Sequence, residues 1–292
     1  MSSPQISFEF FPPKTEIGMN NLLATAKSLS TIQPAFFSVT FGAGGSAQTH
    51  TPTTVLKINQ HTAIQTAPHI SCFAEKETIK NLLDLYIDQG ITRLVVLRGD
   101  FPAGLNTSPS THFHYATELV AFIRKQTQDH FHIDVACHPE FHSETTDIKK
   151  ALFYFKEKID AGANSAITQY FYNPDAYFRF RDGCEKIGVH APITPGIMPI
   201  TNYEKLVSFS AACGAEIPRW LDLRLQNFRE DIIGLQNFGE DVITTLCEKL
   251  LKNDAPGLHF YSLNKAEPSM KIIHRLGLGS SNKCYVSTQV SE

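Results

Sequence analysis

Glu9 stands in the segment Ile6-Ser7-Phe8-Glu9-Phe10-Phe11-Pro12-Pro13, a carboxylate flanked in sequence by three phenylalanines where an extended run stops. Burial raises a carboxyl pKa, so a glutamic acid held among apolar groups stays protonated near neutral pH and donates that proton to a bound substrate. The plainer reading is an edge carboxylate that meets solvent. What favours chemistry is company: polar residues close one short apolar run after another. In chain order they are Glu9, Thr40, His69, Arg98 with Asp100, His138 with Glu140 and His142, Gln169 with Tyr170, the Pro195-Gly196 turn, and Tyr261 with Asn264 and Lys265.

Several of these motifs have competing readings. His138-Pro139-Glu140-Phe141-His142 brackets a carboxylate with two histidines, but a zinc protease needs H-E-x-x-H on a helix, and Pro139 after an extended run keeps this segment off one. No metal is expected. Arg98-Gly99-Asp100 reads equally as a structural ion pair and as a site. Gly42-Ala43-Gly44-Gly45-Ser46 has the glycines of a phosphate cradle without the G-x-G-x-x-G spacing or the lysine of a phosphate loop, so a turn is the better reading. His112, His114 and His130 sit in polar contexts and read as surface residues, and Trp220 reads as a packing anchor. Neither a Ser-His-Asp arrangement nor a carboxylate pair is suggested, which argues against hydrolysis. A Schiff-base lyase needs a buried lysine, and Lys265 is the only strand-end candidate.

The elements that must position these residues follow from periodicity. Short runs rich in β-branched and aromatic residues alternate with longer amphipathic stretches, the pattern of βα units and a parallel sheet. Strands are expected at Gln5–Phe10, Ala35–Thr40, Thr66–Ser71, Arg93–Leu97, His132–Cys137, Ser165–Thr168, Ala191–Pro195 and Gly257–Tyr261. Helices are expected over Met19–Leu29, Thr53–His61, Lys76–Gln89, Ala116–Gln126, Thr146–Ala161, Pro174–Ile187 and Tyr203–Cys213, with two more inside 217–253. Gly90, Gly162 and Gly188 each follow a helical run as C-terminal caps. The pattern predicts an α/β fold, a (βα)8 TIM barrel with extra helices before the last strand. Residues 1–280 are expected to form one βα-barrel domain, and 281–292 a short loose tail. In such a barrel the chemistry gathers at the C-terminal strand ends, which is where the polar residues fall.

Composition narrows the partners. The chain has 292 residues, with 26 basic and 29 acidic side chains for a net charge of −3 and no basic block. A small-molecule partner is expected rather than nucleic acid or a membrane. The six cysteines are scattered without a C-x-x-C pair, so a reducing, cytoplasmic setting fits. No charged-then-apolar leader opens the chain and no apolar stretch is long enough to span a bilayer.

Phe8-Glu9-Phe10-Phe11-Pro12-Pro13, Ser38-Val39-Thr40-Phe41-Gly42-Ala43, Leu97-Arg98-Gly99-Asp100, Ala161-Gly162-Ala163-Asn164, Ile167-Thr168-Gln169-Tyr170-Phe171 and His259-Phe260-Tyr261-Ser262-Leu263-Asn264 recur in this order in another family. From Ile6 to Leu278 the chain resembles the 5,10-methylenetetrahydrofolate reductases, in their bacterial form that consists of the catalytic domain alone. The resemblance implies a barrel carrying non-covalent FAD, a ping-pong reduction of methylenetetrahydrofolate to 5-methyltetrahydrofolate by NADH or NADPH, and a homotetramer. It makes Glu9 the general acid and Asp100 the carboxylate between flavin and pterin. It assigns flavin contacts to Thr40, Phe41, His69, Arg98, Gly99, Asp100, His138, His142 and Lys158, and substrate contacts to Glu9, Asp100, Gln169, Phe209, Tyr261 and Lys265. Lys265 replaces the arginine of the enterobacterial pattern, and a lysine lacks that planar fork. His138 stands where a tyrosine is familiar, and Ala151 and Tyr154 replace polar residues. A barrel that binds flavin or folate without turnover, or a non-redox barrel lyase, is the alternative.

Overall fold

The structure is a computed structural model that describes residues 3–41, 50–99, 113–140, 147–228 and 230–279. The apolar runs form parallel strands β1 (Gln5–Phe10), β2 (Phe36–Val39), β3 (Thr66–Ser71), β4 (Arg93–Leu97), β5 (His132–Cys137), β6 (Ser165–Thr168), β7 (Ile193–Thr194), β8 (Gly196–Ile197) and β9 (Gly257–Tyr261). Their hydrogen-bonded order is β7-β6-β5-β4-β3-β2-β1-β9-β8. Because β7 and β8 are consecutive in the chain, this order wraps the sheet into a nearly closed barrel.

The seventh strand differs from the expected single run Ala191–Pro195. Pro195 has no N–H to give a ladder and divides the segment, so β7 pairs with β6 and β8 with β9. The carbonyl of Pro195 stays in the sheet, accepting from the N–H of His259 at 3.0 Å. Among the described residues, nine short strands thus make the eight-unit barrel.

Helices α1 (Glu16–Ser30), α2 (His50–Thr62), α3 (Lys76–Asp88), α4 (Ala116–Thr127), α5 (Ile148–Asp160), α6 (Pro174–Lys186) and α7 (Tyr203–Cys213) alternate with the strands. The expected pair within 217–253 is α8 (Arg219–Gln226) and α9 (Ile232–Lys252). Starts are set by side-chain caps: Asp147 accepts from the N–H groups of Lys149 and Lys150, Asn173 precedes Pro174, and Asn202 accepts from Lys205. Gly90, Gly162 and Gly188 end helices with φ of +69°, +115° and +79°, as their caps require. A tenth helix, α10 (Glu267–Arg275), was not expected. Its signals were Pro268 in the first turn, His274 and Arg275 in the last, and buried Ile272 and Ile273. Trp220 is 53% exposed rather than an anchor, because α8 buries Leu221 and Leu225 and Trp220 lies off that stripe.

Period-2 alternation sorts β1 into two faces. Ile6, Phe8 and Phe10 join the large apolar layer between barrel and helices, with Leu22 and Ala26 of α1. Ser7 and Glu9 face the lumen. A smaller apolar plug of Phe36, Ala67, Val95 and Ile167 lies separately. The phenylalanines beside Glu9 in sequence are therefore not its surroundings in space: Phe8 and Phe10 are buried on the far side of the strand and Phe11 is exposed. Toward the strand starts the lumen holds an ion pair, Arg93 Nε to Asp134 Oδ2 at 2.6 Å and Nη2 to Oδ1 at 3.0 Å. Among the described residues, no helix is long and apolar enough to cross a membrane.

Candidate active site

The lumen above the apolar plug is lined by polar residues from neighbouring strands. Register places Glu9 beside Ser38 of β2 and Tyr261 of β9, and Ser7 beside His259. The Glu9 carboxylate, 19% exposed, points between two histidines: Oε2 is 3.4 Å from His69 Nε2 and 3.9 Å from His259 Nε2. Among the described residues, both Nε2 atoms are buried without a hydrogen-bond partner. On the far side of the second ring, His259 Nδ1 lies 2.8 Å from Ser7 Oγ. When Ser7 donates to Nδ1, the ring carries its proton on Nε2, facing Glu9.

Backbone contacts fix where that carboxylate sits. The carbonyl of Glu9 accepts from the Ser262 hydroxyl and, at 3.3 Å, from the Ser262 N–H. Asn264, at φ +56°, accepts from the N–H of Phe11 at 3.0 Å and donates to its carbonyl at 2.9 Å. The loop after β9 therefore staples the end of β1. Beside it, Tyr261 donates to the Thr168 carbonyl at 2.7 Å, and the Thr168 hydroxyl accepts from the Gly196 N–H at 2.9 Å. A Cβ on Gly196 would lie 2.2 Å from the Thr168 carbonyl oxygen and 2.7 Å from the Tyr261 ring, so only glycine fits where β8 crosses the mouth. Burial first, and then the Glu9 charge, raises the Tyr261 phenol well above its ordinary value, so it acts as a donor.

Of the other sequence candidates that are described, Thr40, Phe41, Arg98, Gly99, His138, Gln169 and Lys265 follow strand ends, while Lys158 and Phe209 lie on helices. Thr40 follows β2 and its carbonyl accepts from Thr51 at 2.9 Å, while Phe41 is buried in the outer layer. Arg98 and Gly99 follow β4. The Arg98 carbonyl accepts from Ser71 Oγ at 3.0 Å, and a Cβ on Gly99 would meet that same oxygen at 2.4 Å. Gly99 adopts φ +82°, so both space and conformation demand glycine. His138 is half-buried after β5. Lys158 of α5 donates to the Ala136 carbonyl, and burial lowers its ammonium pKa. Gln169 accepts from the N–H of Tyr170 at 3.0 Å, Phe209 is 42% exposed on α7, and Lys265 is exposed. Asp100 and His142 lie outside the described residues. Sequence reasoning gave no role to Ser7 or His259, although each stands two residues before a selected residue on the same strand face, the period-2 signal that would have found them.

The buried His69 gives a pH test. Burial pushes its imidazole from 6.5 down to about 4, with Glu9 pulling the other way. Its folded pKa lies below its unfolded one, so the unfolded chain takes the proton first as pH falls. The associated stability is complete above the unfolded pKa and drains away toward pH 4. Between pH 7 and about 4.5, wild type is expected to lose roughly 2 kcal/mol more than His69→Gln in urea unfolding. Equal acid sensitivity of the two proteins would mean His69 titrates normally.

Comparison with known proteins agrees with this geometry. The family profile described as Methylenetetrahydrofolate reductase matches residues 1–277. The 5,10-methylenetetrahydrofolate reductase of Buchnera aphidicola subsp. Schizaphis graminum is 38% identical over 275 residues, covering 94% of this chain and 92% of that one. The enzyme of the same name from Escherichia coli K12 is 35% identical over 274 residues, covering 94% and 90%. A solved structure titled as an uncharacterized protein from Clostridium thermocellum that binds two copies of 5-methyl-5,6,7,8-tetrahydrofolic acid superposes with a TM-score of 0.63. It is 17% identical and covers 94% of each chain, a likeness of fold.

Proposed function

The chain belongs to the methylenetetrahydrofolate reductase family, and from that membership we propose that it reduces 5,10-methylenetetrahydrofolate to 5-methyltetrahydrofolate with NADH or NADPH, through FAD, in a ping-pong cycle. The product would supply methyl groups for methionine synthesis. The observation that carries the reading is Glu9, an accessible lumen carboxylate between two buried, otherwise unpartnered imidazole nitrogens at the strand-exit end of the barrel.

The residues present fit a dinucleotide flavin. The backbone at Gly99 is bare where a Cβ would collide, and Arg98 brings a cation to the end of β4. Thr40, Phe41, His138, His142, Lys158 and Asp100 complete the proposed set. FAD, if held by these residues, would supply the hydride relay between nicotinamide and folate. The protein's own work is orientation and proton supply. Glu9, protonated, donates to the folate nitrogen whose bond to the methylene carbon must break, which opens the five-membered ring and leaves that carbon electrophilic. His259, oriented by Ser7, and His69, kept neutral by burial, offer N–H donors to the carboxylate left behind. Gln169 and Tyr261 hold the pterin edge, Phe209 covers its ring, and Lys265 meets an anionic group by charge alone.

The purified protein is expected to be yellow. Its flavin absorbance should bleach anaerobically on addition of NADH or NADPH and return on addition of methylenetetrahydrofolate. A colourless protein that cannot be reconstituted with FAD would sink the proposal. Stopped-flow reduction with each nicotinamide identifies the preferred donor.

A further inference from the structure

Both ends of α7 are tied to the strand-exit side of the barrel. Its cap Asn202 lies five residues beyond β8, and its far end reaches across to the exits of β5 and β6. There, Ser210 Oγ is 3.0 Å from the Tyr170 hydroxyl, and Cys213 Sγ donates to that hydroxyl at 3.4 Å. Just past the helix, the N–H of Glu216 donates to Glu140 Oε2 at 2.8 Å. Tyr170 in turn packs edge-on against Tyr261, with ring centroids 6.2 Å apart. A continuous set of contacts therefore runs from the lumen, through two tyrosines, to the helix that carries Phe209.

We propose that Glu140 and Tyr170 are positioning residues: they clamp the C-terminal half of α7 across the barrel mouth and so fix where Phe209 meets the ring of a bound substrate. The inference rests on the reading of Phe209 as a substrate contact. Among the described residues, Glu140 Oε1 and the hydroxyl of Tyr172, whose ring packs on Tyr170, are buried without a hydrogen-bond partner, so the clamp is built with polar groups to spare. A solely structural tie between two loops is served by an apolar contact at less desolvation cost. Burial raises the Glu140 carboxyl pKa, and the Glu216 N–H opposes that rise. The contact needs an acceptor oxygen rather than a charge, so an amide in the same place should serve as well. Phe209 is adjacent to Ser210, so loss of the clamp displaces the ring directly.

The test compares Glu140→Ala, Glu140→Gln, Tyr170→Phe and Phe209→Ala in the flavin-loaded enzyme. Hydrogen exchange of peptides spanning 203–216 should speed up about tenfold or more in Glu140→Ala and Tyr170→Phe, and remain as in wild type in Glu140→Gln. In steady state, Glu140→Ala should raise the KM for the folate about tenfold with kcat within about twofold, and the Glu140→Ala/Phe209→Ala double variant should be no worse than Phe209→Ala alone. Additive losses in the double variant, or unchanged exchange in Glu140→Ala, would overturn the proposal. So would failure of Glu140→Gln to restore wild-type behaviour. Absence of folate turnover in the wild-type protein would instead count against the proposed function, and the exchange measurement would still decide whether the clamp exists.

Discussion

Glu9→Gln is expected to leave flavin content and flavin reduction by nicotinamide near wild type while folate reduction falls by about 10²- to 10⁴-fold, the range for loss of a general acid. The substitution preserves shape and an acceptor oxygen toward His69 and His259, so the lumen need not repack. It removes only the proton. Nicotinamide oxidation requires no proton at that position, whereas opening of the folate ring does, so the two half-reactions separate. Stopped-flow spectroscopy reads them independently. Equal damage to both would show that Glu9 holds the lumen together rather than donating to substrate. The neighbours make a second comparison available: Ser7→Ala should leave the carboxylate in place and slow folate reduction less, because Ser7 reaches Glu9 only through His259.

Much of this architecture was legible because it depends on local chemistry. Six of the eight expected strands begin and end at the residues read from the sequence, since β-branched runs bounded by glycine, proline and polar residues leave few alternatives. Glycine caps at 90, 162 and 188 were equally readable. What escaped depends on contacts distant in sequence. The division of the seventh strand needs both β6 and β9 beside Pro195, and a lone proline does not announce two partners. The surroundings of Glu9 were misjudged for a related reason. Sequence proximity to Phe8 and Phe10 suggested an apolar pocket, but alternation sends those rings outward, and β3 and β9 bring His69 and His259 to the carboxylate. The proposed proton-donor role of Glu9 therefore belongs to a carboxylate set between imidazoles rather than among phenyl rings.

Asp134 carries the second large effect, on stability. Asp134→Ala is expected to cost about 3–5 kcal/mol, a large share of the roughly 5–15 kcal/mol that holds a domain folded. Asp134 is almost fully buried and accepts both guanidinium bonds of Arg93 together with the Ser165 hydroxyl at 2.6 Å. Its removal strands a cation in the lumen. Two features temper the loss: the Arg93 side chain is 17% exposed, and its guanidinium carbon lies 3.8 Å from the Phe36 ring centroid, a cation–π contact that survives. They place the result toward the lower end of the range. The cost arises from the orphaned charge and not from the intrinsic worth of the pair, so replacing both partners, Arg93→Met with Asp134→Leu, should recover most of it. Urea unfolding of the single and double variants decides between these accounts. A double variant as unstable as the single one would mean the ion pair itself, and not the avoidance of an unpaired charge, stabilises the strand-start end of the barrel.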